Sequence, residues 1–190
     1  MYMTKIRWMT RTAAMLAMLL ALQWAGSQIP EPMTKQLITG TCVNCVLAVC
    51  VLVVGLWGGV TLALVSPVFA VLWGISPTII TVVPIMLGNL CFVLLLRLLT
   101  EGNAPLWRQT AALTAAAVIK FLVLYALVVK VVCNLAAPQL MGQKLGEHIL
   151  LAPKLLKNLP VMFSWPQLVT AFCGGGLALL ITPTLKKAIR

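Results

Sequence analysis

The chain has 190 residues, 62% of them apolar and 9% charged, against roughly 25% charged in a soluble domain. Fourteen Lys and Arg face three acids, Glu31, Glu101 and Glu147, for a net charge of +11. So few carboxylates exclude paired-carboxylate catalysis and an EF-hand. Basic residues scattered among apolar runs exclude an ordinary nucleic-acid binder. The composition is that of an integral membrane protein.

A spanning helix needs about 20 mostly apolar residues. Six stretches fit, at residues 9–26, 37–56, 58–75, 78–99, 110–134 and 161–182. The predicted fold is an all-α bundle of six transmembrane helices, forming one domain over residues 1–190. The first span carries Ala13, Ala17 and Ala21 at four-residue spacing. Such a stripe lets another helix approach closely, in a partner or within the bundle. The same segment has the basic start and small residues of a signal peptide, but the cleavage-site spacing is poor and removal would leave five spans.

The second and third spans come from one apolar stretch, Val43–Ile75, of 33 residues. A straight helix of that length would run about 50 Å against a hydrocarbon core of about 30 Å. The chain must fold back, and Gly55, Gly58 and Gly59 mark the turn. Pro67 and Pro84 predict kinks in the third and fourth spans. With both termini in the cytoplasm, eight basic residues fall inside and four outside, and Lys120 and Lys130 lie within the fifth span. The bias favours this topology. The outer connection over residues 135–160 is punctuated by Pro138, Pro153 and Pro160. The spacing of Leu140, Met141, Leu145 and Ile149 predicts a short interfacial helix there.

No cofactor or metal site is expected. Cys42 and Cys45 form an isolated C-x-x-C, short of the four ligands of a structural zinc site. The single His148 sits far along the chain, and cysteine is an ordinary buried apolar residue. No span holds an acid, and no P-loop is present, so neither an enzyme nor an ATPase is expected.

Polar groups at membrane depth are costly, so each is a candidate for function. Asn44 lies in the second span and Asn89 in the fourth. Lys120, Lys130 and Asn134 lie in the fifth, and Gln167 opens the sixth. On an α-helix Lys120 and Asn134 fall within about 40° of each other. This predicts a donor stripe facing the bundle interior, suited to a small anionic ligand. Lys120 alternatively caps carbonyls, Lys130 snorkels to headgroups, and the asparagines join helices.

Several stretches carry a resemblance: "QLITG" at Gln36–Gly40 with Asn44, "SP" at Ser66–Pro67, "GN" at Gly88–Asn89, "IKF" at Ile119–Phe121 and "FSWPQL" at Phe163–Leu168 followed by "GGG". With the size, the span count and the alanine stripe, the chain resembles the substrate-binding S component of energy-coupling factor (ECF) transporters over nearly its whole length. The resemblance implies capture of a vitamin or similar micronutrient at a bacterial plasma membrane. It implies partnership with a membrane T component and two cytoplasmic ATPases, with Ala13, Ala17 and Ala21 at the T-component contact. It implies a ligand site toward the outer side, where Lys130, Asn134, Gln167 and His148 are suitably placed, with Lys120 and Asn89 as its floor. A competing function is a non-transport membrane scaffold, whose polar residues would be spent on helix contacts around no cavity.

Overall fold

The computed structural model describes residues 5–100, 104–145, 148–149 and 151–188; the side chains of Lys144, Leu145, His148 and Ile149 lie outside that description. Helix α1 spans Lys5–Ser27, α2 Pro32–Val53 and α3 Leu56–Leu72. After a 3-10 turn at Ile79–Thr81, α4 covers Val82–Leu99. Helix α5, Leu106–Leu124, continues as a π-helix over Tyr125–Ala136 and a last turn, α6, at Ala137–Leu140. A short antiparallel pair follows, β1 (Lys144–Leu145) and β2 (His148–Ile149), with Lys144 opposite Ile149. Helices α7, Pro153–Met162, and α8, Trp165–Ala188, complete the chain.

The result is an all-α membrane bundle. Among the described residues four stretches are long and apolar enough to cross a membrane: Pro32–Val53, Ile79–Leu99, Leu106–Leu140 and Trp165–Ala188. Helix α3 is apolar but shorter. Helix α1 is long enough, at 23 residues, but less apolar.

Local chemistry sets the boundaries. Glu31 caps α2, accepting hydrogen bonds from the backbone N–H of Met33, at 2.9 Å, and of Thr34. Its bonds to Thr34 and Met33 hold its carboxyl below the usual carboxylate range. Pro32 follows at the first helical position, where its missing N–H costs nothing. Between α2 and α3 the reversal is made by Gly55 alone, at φ +119°, a conformation that other residues avoid. Gly58 and Gly59 lie inside α3 and serve packing. A Cβ on Gly59 would come within 2.8 Å of Val93. Pro84 occupies the first turn of α4, where proline starts a helix rather than kinking it.

Helix α2 is the centre of the bundle and packs on α1, α3, α4 and most extensively on α8. Glycine explains the last contact. A Cβ on Gly174 would lie 2.8 Å from the Asn44 Cβ and 2.8 Å from the Cys45 nitrogen, so here two backbones are in contact. Leu47, Val51, Leu62, Phe92, Leu96 and Ala116 form the main apolar core. A second cluster joins Val128, Cys133 and Ala137 to Leu151, Leu159 and Phe163, seating α7 against the π-helical segment.

The interfacial helix predicted across Leu140–Ile149 is not formed. Gly142 adopts φ +79°, which ends the helix and turns the chain into the short β pair. The amphipathic helix of this connection is α7. Its Leu159 is buried while Lys154, Lys157 and Asn158 are exposed.

Candidate functional site

A pocket opens at the end of the bundle where α1 and α3 finish and α2, α4 and α8 begin, away from the chain termini. Its volume is about 90 Å³; a single water needs about 10–15 Å³ by the same measure. Lining side chains come from every long helix: Gln23, Gln36, Thr39, Asn44, Ser66, Asn89, Lys120 and Gln167 are the polar ones on helices, with Pro67, Ala70, Ile85 and Phe163 among the apolar ones. The rim beyond α3 is held by Ser76, whose hydroxyl meets that of Thr81 at 2.5 Å.

Lys120 is only 3% exposed. Its Nζ donates to Asn44 Oδ1 at 2.5 Å and to Asn89 Oδ1 at 2.7 Å, and lies 5.5 Å from the centroid of the Phe92 ring. These bonds orient both amides. Asn44 Nδ2 donates to Thr170 Oγ1 at 3.4 Å, while Asn89 Nδ2 has no partner. Three elements of the sequence pattern, the "GN" of α4, the "IKF" of α5 and Asn44 of α2, thus meet in one network.

The upper walls are built the same way. Gln23 Nε2 donates to the Ser66 carbonyl at 3.3 Å. The Met162 carbonyl, at the end of α7, accepts from Gln167 Nε2 at 3.2 Å and also from Gln36 Nε2. What remains is a set of buried atoms without partners: Gln23 Oε1, Gln36 Oε1, Thr39 Oγ1, Ser66 Oγ and Asn89 Nδ2. An unpaired buried polar group costs about 1–3 kcal/mol. Five of these atoms belong to residues that line one cavity.

Of the residues singled out from sequence, Asn44, Asn89, Lys120 and Gln167 come together here. Lys130 and Asn134 do not; both are exposed on the outside of the bundle. The π-helix is the reason. Its wider turn advances each residue by about 15–20° less than an α-helix, and from Tyr125 to Asn134 the deficit grows to roughly half a turn. The donor stripe therefore breaks after Lys120, and Lys130 Nζ instead sits 5.9 Å from the centroid of the Tyr125 ring. The side chain of His148 lies outside the described residues. Gln23 was not singled out from sequence, and Gln36, Thr39 and Ser66 entered only within the "QLITG" and "SP" stretches, not as site residues. The same cost of burying polar groups points to all four. Ala13, Ala17 and Ala21 are all exposed, on the face of α1 away from buried Thr12, Leu19 and Gln23.

The model of the family described as ECF transporter, substrate-specific component, matches residues 11–186. The chain belongs to this family. It is therefore a substrate-binding S component of an ECF importer, a multi-pass membrane protein for which the family implies a small-molecule substrate and T-component and ATPase partners. S components bind substrates for transport and are not known as enzymes. No curated protein and no solved structure matches the chain.

Proposed function

We propose that the chain captures a vitamin or similar micronutrient from the outer face of a bacterial plasma membrane and presents it to a T component energised by two cytoplasmic ATPases. The observation that carries this reading is the pocket with five buried, unpartnered polar atoms. A scaffold would spend such groups on helix contacts. Both termini lie on the cytoplasmic side in this reading and six helices cross the membrane, so that the pocket opens outward. The exposed Ala13–Ala17–Ala21 face of α1 is the T-component contact, since small residues let a partner helix come close. Asn44, Asn89, Lys120 and Gln167 bind the cargo.

Mass spectrometry of small molecules released from the detergent-purified protein tests the capture. A stoichiometric vitamin-like compound is expected, and lipid alone would count against the reading. Replacing Ala17 with Leu should abolish co-purification with the T component while leaving cargo binding intact. An undisturbed complex would show that the T component docks elsewhere.

A further inference from the structure

The polar atoms of the pocket differ in kind with depth. On α2, Gln36 is four residues from the start of the helix and Asn44 eight residues further on, about 12 Å deeper at 1.5 Å per residue. At the shallow level Gln23 and Gln36 spend their amide nitrogens on backbone carbonyls. Their free Oε1 atoms can only accept. At the deep level Lys120 and Asn89 are joined through Asn89 Oδ1. What remains there is Asn89 Nδ2 and the third N–H of a protonated Lys120, which can only donate. The mouth accepts and the floor donates.

Charge points to the same occupant. Among the described residues Glu31 is the one carboxylate, and it is engaged in capping α2. A buried cation without a counter-ion is expensive, and an anionic cargo supplies one. Two free donors at the floor match the two oxygens of a carboxylate. A phosphate presents three oxygens and more charge, and among the described residues no arginine lines the pocket.

We infer that the cargo is a small carboxylic acid with an N–H or O–H group at its other end, bound with the carboxylate inward against Lys120 and Asn89 and the donor group beneath Gln23 and Gln36. This rests on the pocket being the cargo site. The test offers membrane vesicles containing the full chain the low-molecular-weight fraction of yeast extract, either untreated or with its carboxyl groups converted to methyl esters. Bound molecules are then released and identified by mass spectrometry. Ala70→Trp, which fills the pocket, and Lys120→Met run in parallel, each checked for a normal size-exclusion profile.

The wild type should retain a carboxylate bearing an N–H or O–H group, and at least tenfold less of it from the esterified fraction. Ala70→Trp should retain none, and Lys120→Met at least tenfold less than wild type. Capture that survives esterification, or a captured molecule lacking a carboxylate, overturns the assignment of chemical class. If Ala70→Trp is empty in that case, the pocket itself stands. Equal capture by a well-folded Ala70→Trp protein, or no capture by wild type from either fraction, overturns the pocket and the class together. Should Ala70→Trp not fold, undiminished capture by Lys120→Met overturns the proposal.

Discussion

Toward the terminal end of the bundle, Leu47, Val51, Leu62 and Leu96 fill the space between helices with side chains that no solvent reaches. Toward the other end the same helices carry Gln23, Gln36, Thr39, Ser66 and Asn89, and leave a cavity between them. One end is closed by interdigitating apolar groups and glycine contacts; the other is held open by amides bonded to carbonyls. Apolar packing and the polar cavity are thus separated along the helix axis, and Lys120 stands where the two meet. Its ring neighbour Phe92 belongs to the closed side and its two asparagines to the open one.

Substitutions on the two sides should separate stability from capture. The largest effect is expected at Gly59, where a Leu side chain would start against Val51 and Val93. Such overpacking should cost about 3 kcal/mol and lower the unfolding midpoint in detergent. An unchanged midpoint would mean that the apolar end has room to spare. Asn89→Leu removes one of the two acceptors of Lys120. It should cost about 1–3 kcal/mol and, unlike Gly59→Leu, abolish cargo retention in protein that still folds.

Gln36→Leu cuts the bond from α2 to the end of α7. Stability should fall by no more than about 1 kcal/mol, while cargo release measured by filter assay accelerates by about fivefold. Retention as slow as in wild type would show that α7 is held by its apolar contacts alone. The smallest effect belongs to Lys130→Met. With Lys130 on the outer face, stability should stay within about 0.5 kcal/mol and capture should be unchanged. Lost capture would return Lys130 to the pocket and break the contrast drawn between it and Lys120.

That contrast also marks the limit of what could be read from the residues in order. Apolar runs and their punctuation located the long helices because length and hydropathy are properties of the chain itself. The cost of a buried charge pointed to Lys120, and a reversal near Gly55 followed from the length of the apolar stretch. Three features were not legible. The π-helical course after Tyr125 leaves no mark in apolar periodicity, so Lys130 and Asn134 were carried inward by a projection that assumes 3.6 residues per turn. The apolar spacing of Leu140–Ile149 mimics a helix, and only the conformation of Gly142 breaks it. Gln23 and Gln36 sit near helix ends, where polar residues are cheap in sequence terms. Burial by α7 and the rim beyond α3 is what makes them costly.

A lysine at the depth of Lys120 also lies within the electric field of the membrane. Moving one elementary charge through 100 mV is worth about 2.3 kcal/mol. Any displacement of protonated Lys120 along the membrane normal is therefore driven by the membrane voltage while the pocket is empty. An anionic occupant would cancel that coupling, so that the loaded and empty proteins would respond differently to the same voltage.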